Sequence, residues 1–110
     1  MKLSIRHYRT ATGKIPYQDW LARLKDKTAK APVIRRSIRM ELGDLGDHKG
    51  LGDGVSELRI DVGPGYRVYY GMVGQTVVLL LTGGSKGSQE RDIARAKGYW
   101  KDHHERSEQG

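Results

Sequence analysis

Cysteine is absent from the 110 residues, which excludes a disulfide framework, a thiol nucleophile and any cysteine-ligated zinc or iron–sulfur centre. Long apolar runs are absent too. The longest, Val77-Val78-Leu79-Leu80-Leu81, is strand-sized and far below the roughly 20 residues that span a bilayer. The opening Met1-Lys2-Leu3-Ser4-Ile5-Arg6 lacks the apolar stretch of a secretory signal, so a cytoplasmic location is expected. Acidic residues are in deficit, 13 Asp and Glu against 20 Lys and Arg, for a formal charge of +7. His103-His104 lies in a loose polar tail with no further metal-type partner to complete a site, so neither a metal nor another cofactor is expected.

What is present suits one globular domain. A second core does not fit into this length, and 36% hydrophobic with 30% charged residues gives a modest interior. The excess of positive charge creates a field that attracts polyanions: RNA, DNA, an anionic membrane surface or an acidic protein.

Residues 3–10 alternate Leu3 and Ile5 against Ser4 and Arg6 and read as a first strand. Tyr17, Trp20, Leu21 and Leu24 carry helical spacing, with Pro16 in the first turn. A second helix is expected from Pro32 to about Glu41, because an earlier start would leave proline where a backbone donor is wanted. Ile34, Ile38 and Leu42 form its apolar stripe. Residues 43–54 hold five glycines and three aspartates and are expected to form a surface loop. Three strand-like runs follow, 55–62, 66–73 and 76–83, joined by Gly63-Pro64-Gly65 and Gly74-Gln75, both of hairpin length. The last of them is apolar on both faces, the mark of a strand covered on both sides. A final helix spans about 89–102 with Ile93, Ala96 and Trp100 on its apolar stripe. Residues 103–110 form a polar tail, expected to fray, beyond a domain of residues 1–102. The order β-α-α-β-β-β-α predicts an α+β fold in which an antiparallel meander carries helices on one face.

Alternation within the hairpin sets Glu57, Arg59 and Asp61 on one face of their strand, and Arg67 and Tyr69 on the matching face of the next. A three-residue loop would place Asp61 opposite Arg67 and Arg59 opposite Tyr69, making Arg59, Arg67 and Tyr69 neighbours. Lys49 and Lys86, in the flanking loops, are within reach of that surface. Arginine forks match the charge that builds on a phosphodiester when an RNA 2′-hydroxyl attacks it, a reaction that requires no metal, and a tyrosine ring can stack on a base. The same residues, beside Glu57 and Asp61, also fit cross-strand ion pairs on a solvated face. Gly83-Gly84-Ser85-Lys86-Gly87-Ser88 lacks the spacing of a nucleotide-binding phosphate loop.

The segments Gly54-Val55-x-Glu57-Leu58-Arg59-Ile60 and Gly63-Pro64-Gly65-Tyr66-Arg67-Val68-Tyr69-Tyr70 are highly specific. Together with Leu45-Gly46-Asp47, Lys49 to Leu51, the stretch 79–84 with Lys86 and Gln89, and Asp92-Ile93-x-x-Ala96-Lys97-x-Tyr99-Trp100, they resemble the addiction-module killer, HigB-like branch of the RelE/ParE toxin superfamily. The resemblance covers most of residues 15–102. It implies a curved antiparallel sheet packed against helices. It also implies the toxin of a type II toxin–antitoxin pair, acting as a metal-independent, ribosome-dependent mRNA endoribonuclease that blocks translation. The partners implied are mRNA on the ribosome and a cognate antitoxin with a helix-turn-helix domain, with no membrane. On this resemblance Arg67 binds the scissile phosphate, Lys86 supports the transition state, and Arg59 and Lys49 supply further basic groups. Arg59, Arg67, Tyr69 and Lys86 form the RNA-contacting set. The C-terminal tyrosine of ribonuclease relatives has no counterpart, Asp92 or Ile93 standing in that neighbourhood, and Ser85 stands where relatives usually carry Asp. Other members of the superfamily poison DNA gyrase instead, and a non-toxic basic partner-binding domain is the remaining alternative.

Overall fold

The computed structural model of the chain describes residues 2–109. Met1 and Gly110, the outermost residues of the expected domain and tail, lie outside the described residues. In chain order the elements are β1 (Ser4–His7), α1 (Pro16–Arg23), α2 (Lys27–Arg39), β2 (His48–Gly52), β3 (Val55–Ile60), β4 (Tyr66–Val73), β5 (Val77–Ser85) and α3 (Gln89–Gln109). Short 3-10 turns at Met40–Leu42 and Lys86–Ser88 follow α2 and precede α3. The class is α+β, as expected. Among the described residues no helix is long and apolar enough to cross a membrane.

The sheet has five strands in the order β1-β5-β4-β3-β2 and is mixed rather than antiparallel throughout. β3, β4 and β5 form the expected meander, but β1 runs parallel to β5, from Ser4 opposite Val77 to His7 opposite Leu80. Helices cover both faces, correcting the expectation of one covered face. On one side Val68, Tyr70, Val78 and Leu80 meet Tyr17 of α1 and Ala29 and Val33 of α2. On the other, Tyr69, Leu79 and Leu81 meet Ala96 and Trp100 of α3. The doubly apolar run at 77–81 requires this arrangement, since each face of β5 buries its own set.

Two indoles fix how closely these layers approach. A Cβ on Gly83 would lie 2.3 Å from the Trp20 ring, and one on Gly71 would lie 2.3 Å from the Trp100 ring. Only strand residues without side chains leave room for tryptophans at these positions.

Residues 43–54 are not wholly loop. β2 is an edge strand paired antiparallel with β3 and irregular between Gly50 and Gly52. Asp53 and Gly54 both have positive φ, the two-residue turn in which Asp-Gly is favoured. α2 begins at Lys27, ahead of the expected Pro32. Asp26 caps it by accepting from both the backbone N–H and the hydroxyl of Thr28, and it also accepts the Tyr66 hydroxyl at 3.2 Å. That anchored first turn carries the helix through Pro32, where one ladder bond is lost.

The buried side of α2 is Ala29, Val33 and Ser37, whose small size lets the helix lie close to the sheet. The Ser37 hydroxyl lies 3.0 Å from that of Tyr17. The Ile34, Ile38 and Leu42 stripe consequently faces outward, with Ile38 55% and Leu42 68% exposed. α3 continues through the segment expected to fray. The Tyr8 hydroxyl bonds Asp102 at 2.5 Å, Arg106 bonds Asp102 at 2.9 Å, and Arg106 also bonds the Arg9 carbonyl.

Candidate functional site

The β3–β4 connection is longer than the spacing suggested. Ile60 pairs with Tyr66, so Asp61 to Gly65 form the loop, held by N–H bonds from Val62 to Ile60 O and from Gly65 to Val62 O. Gly63 and Gly65 supply the positive φ values that the turn requires. The register therefore moves two positions from the expected one. Because side chains alternate with period two, the faces are kept while the partners change. Arg59 stands directly opposite Arg67, and Tyr69 stands opposite Glu57 rather than Arg59.

Adjacent guanidiniums repel, and Glu57 resolves the repulsion. Its carboxylate is fully buried, with Oε2 accepting from Arg67 Nε at 2.5 Å and from Arg59 Nε at 3.2 Å. Gln89, the first residue of α3, donates to Oε1 at 3.2 Å. Both arginines thus bind the carboxylate by Nε and keep terminal nitrogens for other partners. Arg59 Nη1 lies 3.8 Å from Asp47. Among the described residues the terminal nitrogens of Arg67 make no protein hydrogen bond. The Arg67 side chain is 13% exposed and that of Arg59 35%. The ion-pair reading of this face and the cationic reading both describe part of it: the pairs exist, and the forks still border solvent.

Arg59, Arg67 and Lys86 line one depression of about 230 Å³, with Asp47, Asp61 and the Gly63–Pro64–Gly65 turn around it. Lys86 is placed there by its backbone N–H, which bonds the Gly65 carbonyl at 3.0 Å. Lys49 pairs across from Glu57 on β2 and is exposed, but it does not line the depression. His48 is exposed beside it, with Nδ1 2.9 Å from the Gly46 carbonyl oxygen.

Tyr69 departs furthest from expectation. It is fully buried beneath α3, so its ring cannot stack on a nucleic-acid base, and its place in the RNA-contacting set is corrected. The hydroxyl has no hydrogen-bond partner among the described residues. Burial pushes its pKa well above the ordinary tyrosine value, with the Asp92 and Glu57 carboxylates adding to the rise and Arg67 opposing it.

Two residues that shape the site carry no mark in the alternation pattern. Glu57 reads as one more polar residue on a wet face, and only the later position of Gln89 hints that something covers it. Arg36, on α2, donates to the Arg59 carbonyl at 2.8 Å, the Leu45 carbonyl at 3.3 Å and the Asp47 carbonyl at 3.4 Å. It braces the segment before β2 against the strand that carries Arg59. Among the described residues no cluster of His, Asp and Glu is arranged to hold a metal ion.

No protein-family model matches the chain. An uncharacterized protein of Haemophilus influenzae is 45% identical to it over 83 residues, which cover 76% of this chain and 84% of that protein.

Proposed function

This chain belongs to one family with that Haemophilus influenzae protein, and we propose that it is the toxin of a type II toxin–antitoxin pair, of RelE/ParE type. In this reading it cleaves messenger RNA on the ribosome, in the cytoplasm, and a cognate antitoxin neutralises it. The observation that carries the reading is the side-by-side placement of Arg59 and Arg67 on one face, bordering a depression that Lys86 shares. The Glu57-Leu58-Arg59-Ile60 and Gly65-Tyr66-Arg67 segments that resemble those toxins supply both arginines.

The chemistry needs little from the protein. The RNA 2′-oxygen attacks the adjacent phosphorus and the 5′-oxygen leaves. The proton lost from the 2′-hydroxyl is balanced by the one gained at the 5′-oxygen, giving a 2′,3′-cyclic phosphate and a 5′-hydroxyl with no water consumed. Two forks held rigidly by a buried carboxylate stabilise the non-bridging oxygens as their charge grows, and Lys86 adds a point charge from the rim. Positioning the backbone for in-line attack contributes the rest. Lys49, outside the depression, serves the path of the message rather than the reacting phosphate.

The antitoxin in this proposal covers the Ile34, Ile38 and Leu42 stripe. Arg35 and Arg39 flank this exposed apolar ridge, which suits an acidic amphipathic helix. The test is induced expression without the partner, with transcripts mapped by primer extension and plasmid topology followed in parallel. Cuts inside translated frames are expected. Intact transcripts with relaxed or cleaved DNA would replace this reading with gyrase poisoning, and harmless expression would leave a non-toxic binding domain.

A further inference from the structure

The depression at Arg59 and Arg67 is close to neutral once Glu57, Asp47 and Asp61 are counted against its three cations, so the +7 charge must act elsewhere. A second cavity, about 320 Å³, lies between the end of α1, the end of β5 and the start of α3. Arg23, Lys25, Arg91 and Arg95 line it, all exposed, and none forms a salt bridge with a described carboxylate. Its one acidic lining residue, Asp92, is buried and bonded to the Ser88 hydroxyl. Four cations without partners among the described residues, around one hollow, are an anion site by charge alone.

The walls narrow the class of anion. Trp20 and Tyr66 line the same cavity, their ring centroids 6.5 Å apart and tilted by 55°. Trp20 is half-buried, with its ring laid against Gly83. Gly83, Gly84 and Ser85 lie along its wall, where Gly83 is already packed against the Trp20 ring and Gly84 against the Asp92 carboxylate. An aromatic ring beside unpaired arginines is what a single-stranded nucleotide requires, a stacked base next to a neutralised phosphate, and with Tyr66 buried in the core that ring is Trp20. An acidic peptide uses the cations and leaves the indole idle. Tyr66 also lines the Arg59–Arg67 depression, so the two hollows adjoin.

We infer that this second cavity is a subsite for single-stranded RNA, holding a nucleotide that flanks the one at Arg59 and Arg67. Arg91 and Arg95 take its phosphate and Trp20 stacks on its base. The inference rests on the ribonuclease reading for the identity of the strand, while its test reads binding and not cleavage.

The test is fluorescence anisotropy of a labelled nine-nucleotide single-stranded oligoribonucleotide, titrated with the full chain at several salt concentrations. Arg91→Ala with Arg95→Ala should weaken binding about ten-fold or more at low salt. It should also flatten the log–log salt slope by about 0.7, for the one phosphate that the variant leaves without a cation. Both side chains are exposed and unbonded, so folding is preserved, and circular dichroism verifies it. RNA should quench tryptophan emission in the wild type and not in Trp20→Phe. Wild-type affinity and slope in the double variant would overturn the inference, as would failure of the wild type to bind the oligonucleotide. Oligoglutamate binding that depends equally on Arg91 and Arg95, with no RNA-induced quenching, would assign the cavity to an acidic peptide and overturn it too. Intact transcripts in cells alongside retained RNA binding here would sink the nuclease reading and leave the subsite standing.

Discussion

Glu57 and Arg67 meet across neighbouring strands with Oε2 2.5 Å from Nε, and the carboxylate is wholly shielded from solvent. Arg59 and Gln89 bind the same carboxylate, so one buried acid ties β3, β4 and the start of α3 together. Such a group is costly to desolvate and costly to leave half-partnered, which makes it an organiser of the site rather than a plain source of stability. Glu57→Gln keeps the shape and removes the charge that two guanidiniums face. It should lower unfolding free energy by about 2–3 kcal/mol, a reduced figure because both arginines border solvent. A urea midpoint equal to that of the wild type would contradict this.

The same relationship governs how Arg67 should be probed. Arg67→Ala would leave Glu57 buried beside Arg59 alone, mixing lost stability with lost function. Arg67→Lys keeps a cation for the carboxylate and loses the planar fork. It should unfold within about 1 kcal/mol of the wild type and yet fail to arrest growth, a contrast that a purely structural ion pair would not produce.

Gly83 and Gly71 test the packing of the two indoles. With a Cβ 2.3 Å from each ring, Gly83→Ala and Gly71→Ala must displace Trp20 and Trp100 respectively. Each should cost about 1–3 kcal/mol, through overpacking rather than backbone strain. Trp20→Leu should relieve much of the cost of Gly83→Ala in a double-mutant cycle, and strict additivity of the two would argue against the close approach.

Along α2 the expected contrast is between two positions five residues apart. Val33→Ala removes buried volume and should cost about 2 kcal/mol, whereas Ile38→Gln, on the outward stripe, should fall within about 0.5 kcal/mol of the wild type. Equal losses at the two sites, measured by urea unfolding, would place the stripe in the core after all.

Acid should loosen the junction of α2 with β4. Asp26 is held below the ordinary carboxylate range, first by the Thr28 hydroxyl and also by backbone N–H groups and the Tyr66 hydroxyl. A carboxylate depressed in the folded state contributes stability that is present above its unfolded pKa near 4 and is lost as pH falls through the lower folded value. Asp26→Asn still caps but does not titrate, so its urea midpoint should fall less steeply than that of the wild type below about pH 4. Asp44 and Asp102, lowered in the same direction, leave part of the slope in place.

The meander, α1 and most of α3 were legible because periodicity records which side of an element meets a core. The doubly apolar 77–81 run even implied a second covered face, before any helix could be assigned to it. The loop at 43–54 misled because glycine density hid an edge strand, although Asp53-Gly54 is a hairpin turn signal in its own right. Ile34, Ile38 and Leu42 have helical spacing but lost the core to Ala29, Val33 and Ser37, whose small side chains permit closer approach. At the site, alternation put Arg59 and Arg67 on one face and survived a two-position register error. It could not show that Glu57 and Tyr69, on that same face, lie beneath α3, because burial there depends on a helix that begins 20 residues beyond Tyr69 and 32 beyond Glu57.

The most direct measurement combines purified ribosomes, a defined message and the isolated protein, with cleavage mapped by primer extension for the wild type and Arg67→Lys. The account predicts cuts within the translated frame that require ribosomes, and a rate at least about 100-fold lower for the variant at unchanged fold. An uncut message, or equal rates for the two proteins, would contradict it.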